Sequence, residues 1–348
     1  MDQISSISEL LTLSNSSYRI FDMGRSVCKI AKTDFEKVEQ AMQPYPYPLQ
    51  GHAHIAIVFW QEQQSTPYIW FVKMPLDERG LLNQGSRNHY IAIILEALGS
   101  DLGQDPSEKQ EELLKENPYN FTPSQYKLAS LNSIVKRDLK QKTSEYYEHC
   151  QLYLSGKIGF DNWQGVGVQG LCDFAARTNS DENENHLISA LDNIPDEVFH
   201  PLCSALENQK LSITILSKFI SIAEQMINKD VYGDKLASSL RAISSNAENP
   251  LVVQLIKKLL NNDNFNDLNT LVTISGRCWL AVTDVDMLML FLEKVVASSE
   301  QEVFVAIFQD LIAVPAIRPS LLQCIRIPDR SPKLSNAIGQ LFSTVKGS

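Results

Sequence analysis

Apolar residues recur at helical spacing through the C-terminal two-thirds of the chain, most clearly from Leu211 to Phe342. In one segment after another, positions i, i+3, i+4 and i+7 are apolar, which is the pattern of a helix with one buried face. The clearest sets are Leu216, Phe219, Ile220 and Ala223; Val252, Leu255, Ile256 and Leu259; Leu288, Phe291, Leu292 and Val295; and Phe304, Ile307, Phe308 and Leu311. The pattern predicts a succession of amphipathic helices.

The predicted helices begin near residues 195, 211, 231, 250, 266, 284, 300, 317 and 332. A capping residue precedes Pro250 and Pro332, as expected where a helix begins. A pair of helices therefore spans about 35–40 residues, the period of HEAT-like arrays. The segment 211–228 is apolar on more than one face. Burial against a single neighbouring helix does not offset the conformational entropy lost when this segment is ordered, so we expect it to pack between two neighbours. We expect residues 123–348 to form an all-α helical array, either a HEAT-like α-solenoid or an irregular helical bundle.

The first hundred residues show strand patterns instead. His52–Trp60 and Pro67–Met74 are rich in β-branched and aromatic residues and are apolar on both faces, which favours central, covered strands. The short polar link 61–66 predicts that they pair antiparallel. Two shorter strands are predicted at Tyr18–Asp22 and Ser26–Ile30. With the intervening helical segments, the order is α-β-β-α-β-β-α, and residues 1–100 are predicted to form a small α+β domain with an antiparallel sheet.

Local sequence signals indicate where helices begin and where connecting segments lie. Thr33 and Glu36 have the spacing of a capping box that begins a helix. Residues 44–48, P-Y-P-Y-P, must be extended, either as a stiff connector or as a ligand for an aromatic groove. Residues 101–122 are polar and predict a linker that carries one short helix. Beyond it we expect helices to begin at Thr122–Pro123 and at Asp161, and an exposed acidic loop over residues 179–185.

Composition and net charge narrow the classes of partner and compartment that the sequence predicts. The net charge of −10 disfavours nucleic acid as the main partner, because an acidic chain repels phosphate backbones. Six scattered cysteines without a C-x-x-C pair are typical of a reducing compartment. Neither a signal peptide nor a membrane-spanning segment is visible. The sequence predicts a cytoplasmic protein with no cofactor and no membrane contact; its partner is expected to be another protein, and its oligomeric state stays open.

The candidate functional surface is a loop after the second apolar strand. Asp77, Glu78 and Arg79 lie between that strand and a helix, a usual place for functional side chains. Two carboxylates there can transfer protons or bind a metal, and Lys73 lies close in sequence. The alternative is that these charges cap a turn and face water. No residue is assigned a catalytic, cofactor-binding or metal-binding role.

A glycine-rich stretch, G-V-G-V-Q-G, has the spacing of a dinucleotide fingerprint at Gly165, Gly167 and Gly170. That fingerprint needs a strand before it, so that a pyrophosphate lies on a helix N-terminus. The residues before Gly165 are polar and aromatic. We therefore expect helix packing rather than nucleotide binding here.

Two histidine patterns have functional and structural interpretations. His52 and His54 share one face of a strand and are potential zinc ligands, but zinc takes three or four ligands, and His89 is the only other histidine in this domain. His200 and Cys203 lie one helical turn apart, as a nucleophile pair requires, and Pro201 suggests a helix N-terminus that would lower the thiol pKa. Structural roles are the simpler expectation for both patterns.

Three stretches resemble an uncharacterised bacterial family of about 340-residue proteins. They are Y-R-I-F-D-M-G-R at Tyr18–Arg25, P-L-D-E-R-G-L-L at Pro75–Leu82, and D-N-W-Q-G-V-G-V-Q-G-L-C-D-F-A-A-R at Asp161–Arg177. The resemblance covers the whole chain. It implies a bacterial cytoplasmic protein with a domain of unknown function, and it brings no catalytic residues.

Three functional hypotheses follow. The first is a non-catalytic interaction or scaffold protein that uses the helical array as its binding surface. The second is an enzyme with an acid–base or metal site near Asp77 and Glu78, beside His52 or His54. The third is a nucleotide-binding protein that uses Gly165–Gly170. The array and the absence of a convincing nucleophile in the sequence favour the first.

Overall fold

A computed structural model of the chain describes residues 4–61, 66–99, 102, 107–229 and 233–345, with side chains up to residue 341. The chain divides into two compact units. The first, the N-terminal unit, comprises Met1–Ser124 with Ala313–Pro315; the second, the helical unit, comprises Gln125–Ile312 with Ala316–Ser348. The domain boundaries predicted at residues 100 and 123 stay predictions, because the division into compact units does not test them.

The N-terminal unit is built on a four-stranded antiparallel sheet. Its strands are β1 (Ser17–Asp22), β2 (Cys28–Ile30), β3 (His52–Trp60) and β4 (Tyr68–Pro75). They lie in the order β2-β1-β3-β4, with Ile20 opposite Ile57 and Ile57 opposite Trp70. The predicted antiparallel pairing of the two longest strands is confirmed.

Helices cover one face of this sheet. They are α1 (Ile7–Leu13), α2 (Lys32–Glu39) and α3 (Gln84–Leu98), and α4 (Glu108–Lys115) contacts α3. Because side chains alternate along a strand, every second residue of β1, β3 and β4 faces the helices. Ile20, Ile55, Ile57 and Val72 form the core there with apolar residues of α1, α2 and α3.

The helical unit is built of α-helices. They are α5 (Gln125–Asp138), α6 (Tyr146–Leu154), α7 (Val168–Ala175), α8 (Asp181–Ala190), α9 (Asp196–Leu206), α10 (Ile213–Asn228), α11 (Asp234–Ala242), α12 (Pro250–Leu260), α13 (Leu268–Arg277), α14 (Val285–Ser298), α15 (Gln301–Ala313), α16 (Arg318–Arg326) and α17 (Pro332–Val345). A small α+β unit followed by a helical array is the fold class that the sequence predicted.

Helices two apart in sequence are neighbours in the array. From α5 to α13, each odd-numbered helix contacts the next odd-numbered one, and from α6 to α14 each even-numbered helix contacts the next even-numbered one. Most buried stripes predicted from sequence lie inside, including Leu216, Phe219 and Ala223 of α10. In the described residues, no helix is long and apolar enough to cross a membrane.

Two predicted helix starts and one predicted loop are wrong. Residues Thr122 and Pro123 stay outside a helix, which begins at Gln125, because residues 119–121 are held extended on β4. The stretch from Asp161 is turns until Val168. The predicted loop 179–185 instead begins α8, where the side chain of Ser180 accepts a hydrogen bond from the N–H of Asn183. Acidic residues in the first turn suit that helix, because its N-terminus carries partial positive charge.

The capping-box prediction at Thr33 is also wrong. Helix α2 begins at Lys32, so Thr33 lies in its first turn, and Ala31 at the N-cap position makes no side-chain hydrogen bond. Residues 107–122, predicted as a linker with one short helix, form α4 and then an extended stretch along β4.

Candidate functional site

The predicted surface residues Asp77, Glu78 and Arg79 form a tight turn after β4. The Asp77 carboxylate accepts hydrogen bonds from the N–H groups of Arg79, at 2.9 Å, and Leu81, at 2.8 Å. Its other oxygen lies 3.5 Å from Nε of Arg79 in an exposed ion pair. These bonds, led by that from Leu81, lower the pKa of Asp77. Asp77 therefore shapes the turn, and a role of the loop in function stays a prediction.

Lys73 belongs to β4 rather than to the turn. It lies opposite His54 in the antiparallel register, and its N–H donates to the carbonyl of Tyr119 at 2.7 Å. The rings of His52 and His54 are 6.3 Å apart, and a ring nitrogen of His52 lies 2.8 Å from the carbonyl of Gln50. Within the described residues, no three His, Cys, Asp or Glu side chains are grouped as a metal site requires.

The P-Y-P-Y-P stretch packs on the sheet through Tyr45. Its ring is fully buried, and its hydroxyl donates to the Asp22 carboxylate at 2.7 Å. The same carboxylate accepts from the N–H of Arg25 at 3.0 Å, and Arg25 Nε donates to the carbonyl of Pro48. Burial and the Asp22 charge raise the pKa of Tyr45 well above its ordinary value, so the phenol stays protonated. These contacts match the interpretation of this stretch as a stiff connector.

Within G-V-G-V-Q-G, Gly170 is the glycine that close packing of backbone requires. A short 3₁₀ turn, Trp163–Gly165, precedes them where a dinucleotide site would need a strand. A Cβ on Gly170 would lie 2.7 Å from the carbonyl oxygen of Tyr146, and one on Gly165 would lie 2.7 Å from the His149 ring. The contact of Gly170 is with backbone and excludes a side chain, so Gly170 lets α7 approach α6, whereas the His149 ring beside Gly165 can shift.

The His200–Cys203 pair is structural. A ring nitrogen of His200 lies 2.7 Å from the Ser238 hydroxyl, on α11. Cys203 is fully buried, and burial raises its pKa well above the ordinary value. Pro201 lies inside α9 and does not begin a helix, so the expected lowering of the thiol pKa is wrong. A neutral buried thiol is a poor nucleophile.

Cations and aromatic rings surround a cavity of about 420 Å³ beside β1 and β2. Its lining includes Arg19, Lys29 and Lys32. The Lys32 ammonium lies 4.0 Å from the ring centre of Tyr18, and the Arg19 guanidinium lies 5.6 Å from that of Trp60. Two of the three cations therefore cover aromatic faces, a packing contact of modest strength.

A larger cavity, of about 580 Å³, opens at the edge of β4 and is called the edge cavity below. Ile69, Trp70 and Phe71 of β4 line it, with Tyr90 and Ile94 of α3, Glu111, Leu114 and Lys115 of α4, and the residues Asn117, Asn120, Phe121 and Thr122. Tyr90 and Ile94 are buried at its base, and Trp70 is half-buried. Aromatic and aliphatic walls with a few polar groups are typical of binding sites.

Residues 119–121 cover one part of the β4 edge beside this cavity. The N–H of Lys73 donates to the carbonyl of Tyr119, and the N–H of Phe121 donates to that of Phe71 at 3.3 Å, with Val72 opposite Asn120. Asn117 holds this stretch, because its Oδ1 accepts from the N–H of Tyr119 at 3.0 Å. No sequence motif indicated these contacts, because they depend on a pairing between residues far apart in the chain.

A family model described as "Protein of unknown function (DUF3549)" matches residues 2–342, nearly the whole chain. No curated protein and no solved structure matches this chain.

Proposed function

We propose that this chain, which belongs to the DUF3549 family of proteins of unknown function, is a non-catalytic interaction protein that binds another protein on its helical array. In this proposal the helical unit is a HEAT-like α-solenoid rather than an irregular bundle. The six cysteines are all thiols, which supports a reducing compartment such as the cytoplasm.

The sequence spacing of contacts between helices carries the proposal. Ser245 donates to the carbonyl of Glu207, 38 residues earlier; Arg137 donates to that of Ala176, 39 residues later; and Ser320 donates to that of Thr283, 37 residues earlier. The N–H of Leu211 donates to the side chain of Asn246, 35 residues later. Such spacings support stacked helical pairs that contact the next pair at equivalent positions.

Ion pairs made by the even-numbered helices also connect successive parts of the array, at separations from 26 residues, between Lys218 and Asp192, to 34 residues. Lys258 of α12 lies 3.3 Å from Glu224 of α10, at a separation of 34 residues. Lys294 of α14 lies 2.7 Å from Asp263, at a separation of 31 residues. Exposed pairs add little stability. Contacts between alternate helices are the observation that supports a repeating array over a bundle.

Exposed apolar side chains supply a surface for a partner. Leu268 and Val272 lie one turn apart on α13 and are 45% and 47% exposed. Side chains at this spacing share one helix face, so they form a continuous apolar spot. Because an apolar spot on a helix face is a common element of protein interfaces, we choose it as the first surface to test.

The enzyme hypothesis finds less support. The Asp77 carboxylate is occupied by two backbone N–H groups, which lower its pKa and make it a poor general acid. Cys203 is buried and neutral at physiological pH. An interaction role therefore agrees better with the contacts of these residues.

The test identifies a partner and then maps its site. Tagged full-length protein captures proteins from a lysate of the source organism, and each captured protein is purified and rebound to the chain by biolayer interferometry. We expect the double variant Leu268→Glu/Val272→Glu to weaken binding at least about tenfold, because charges replace buried apolar contacts. Leu322→Glu, at an apolar site of similar exposure on α16, is the control and leaves affinity unchanged.

Two results would overturn the proposal. One is that no purified candidate binds more tightly than about 10 μM. The other is that a partner binds both variants as tightly as it binds the unmodified chain. Circular dichroism of each variant verifies that the helices are retained.

A further inference from the structure

The edge of β4 continues past the residues that the chain itself covers. In an antiparallel ladder, alternate residues direct both N–H and C=O to the same side. Because the N–H of Lys73 and the C=O of Phe71 bond outward to residues 119–121, Ile69 directs its own N–H and C=O to that side too. No hydrogen bond to these two groups occurs within the described residues.

The chain's own pairing along the β4 edge ends before it reaches Ile69. In the register that places Val72 opposite Asn120, Pro123 would lie opposite Ile69. Proline has no N–H to donate to the Ile69 carbonyl, so the ladder stops one pair short. An unpaired strand edge is a template for another extended chain.

Asn117 adds a polar group that lacks a partner. This side chain lines the edge cavity and is 5% exposed. Its Oδ1 accepts from Tyr119, but its Nδ2 is buried with no hydrogen bond in the described part of the chain. A buried donor without an acceptor is costly, so a ligand carbonyl at this point would relieve the cost.

The walls and rim of the cavity specify the ligand chemistry. Trp70, Tyr90, Ile94 and Leu114 give an apolar interior suited to one large side chain. At its rim, Glu111 and Lys115 of α4 form an exposed ion pair, 3.4 Å apart. On the exposed surface beside this pair, Glu108, Glu112 and Glu116, which follows α4, outnumber Lys109. An acidic rim attracts basic residues.

We propose that the β4 edge at Ile69 and the edge cavity bind an extended peptide segment of a partner protein. The segment pairs its backbone with Ile69, inserts an aromatic or long aliphatic side chain into the cavity, offers a carbonyl to Nδ2 of Asn117, and places Lys or Arg beside α4. This is strand addition to a sheet edge, with the backbone giving affinity and the pocket giving specificity. The site lies on the N-terminal unit and is independent of the surface at Leu268 and Val272.

The test begins with a phage-displayed library of random nonapeptides selected on the purified full-length protein. We expect enriched peptides to contain one large apolar residue with Lys or Arg within two positions of it. Binding of a fluorescein-labelled enriched peptide is then measured by anisotropy. N-methylation of those alternate amides that face Ile69 abolishes binding, whereas methylation of the intervening amides leaves it unchanged.

Variants of the protein test each contact separately. Asn117→Asp keeps the acceptor for Tyr119 and removes the buried donor, so affinity falls about threefold to tenfold, the effect of one lost hydrogen bond. Ile69→Pro removes the outward N–H, together with the Ile69 side chain on the cavity wall, and weakens binding by at least a similar factor. Glu111→Lys weakens binding of the basic peptide, whereas Glu36→Lys, on exposed α2, is the matched control.

Three outcomes would overturn the proposal. The first is that no peptide family is enriched over an unrelated protein. The second is that the enriched peptide binds Asn117→Asp and Ile69→Pro as tightly as the unmodified chain. The third is concentration-dependent self-association that Ile69→Pro abolishes, which would make a second copy of this chain the occupant. Because Leu268→Glu/Val272→Glu leaves peptide binding unchanged, failure of this site is distinguishable from failure of the array surface.

Discussion

At the scale of single residues, the carboxylate of Glu39 holds the beginning of α1 from a distance in sequence. It accepts hydrogen bonds from the N–H of Ile7 at 2.6 Å, and from the N–H and hydroxyl of Ser8 at 3.1 and 2.5 Å. These N–H groups have no partner inside α1, because they belong to its first turn. Burial raises the pKa of Glu39, although the bonds from Ser8 and Ile7 and the charge of Arg87 oppose this shift.

The raised pKa of Glu39 makes stability depend on pH. A carboxyl that binds protons more tightly in the folded chain contributes less to the free energy of unfolding as the pH rises from its ordinary pKa of 4.5 through its folded pKa. Glu39→Gln removes this titration. We therefore expect the free energy of unfolding of the variant, relative to the unmodified chain, to increase with pH across that window and to level off above it.

Urea titrations at a series of pH values measure this difference. Glu36→Gln, on the exposed side of the same helix, is the control and shows no such change. A difference for Glu39→Gln that stays flat between pH 4.5 and neutrality, or that decreases, would contradict the assignment.

At the scale of elements, Glu207 connects three helices of the array. Glu207 directly follows α9 and is buried. Its carboxylate accepts hydrogen bonds from Nε and Nη2 of Arg241 on α11. The same carboxylate lies 3.6 Å from Nε of Arg277 on α13. The hydrogen bond from Arg241 to Glu207 raises the pKa of that guanidinium. One buried carboxylate between cations from two neighbouring helices fixes how these helices stack.

Loss of the Glu207 charge should lower the free energy of unfolding. Glu207→Gln keeps the shape but removes the negative charge between two arginines, so we expect the free energy of unfolding to fall by about 2 kcal/mol. Glu248→Gln is the matched control: its partner Lys210 and Glu248 itself are each 65% exposed, and the change should cost less than about 1 kcal/mol. Equal effects of both substitutions in urea unfolding would show that Glu207 has no special role.

Element boundaries were predictable where their causes are local. Helices begin at Pro250 and Pro332 as expected, because Asn249 and Ser331 accept hydrogen bonds from the first turns. The same reasoning was wrong at Thr122, whose local signal was outweighed by pairing of residues 119–121 with β4. The edge cavity was not predictable from sequence for that reason: its walls come from a strand, two helices and an extended stretch that only the fold brings together.

At the scale of the whole molecule, buried cysteine thiols are distributed along the helical array. Cys150, Cys172, Cys203, Cys278 and Cys324 are buried, and burial raises the pKa of each, to about 11 for Cys172 and Cys324 and about 12 for Cys278. They therefore react slowly with alkylating reagents unless the surrounding helices open. In a stacked array the helices at the ends have neighbours on one side only, so the ends open more easily than the middle.

The order of alkylation with increasing urea tests this expectation. Pulses of iodoacetamide followed by mass spectrometry should modify Cys324, in α16 near the C-terminal end, at lower urea than Cys203, in the middle of the array. Modification of all five thiols over the same narrow range of urea would indicate a single cooperative core, as in an irregular bundle.

The spacing of the bonds between helical pairs has a consequence for how such chains vary in length. If most contacts of each pair are with the pair before it and the pair after it, a further pair inserted between two others meets the same kind of surfaces on both sides. Gain or loss of one pair, about 36 residues, then preserves most of the remaining contacts. Natural variants of this protein are therefore expected to lengthen or shorten in whole helical pairs, and the length of the array changes by the same step.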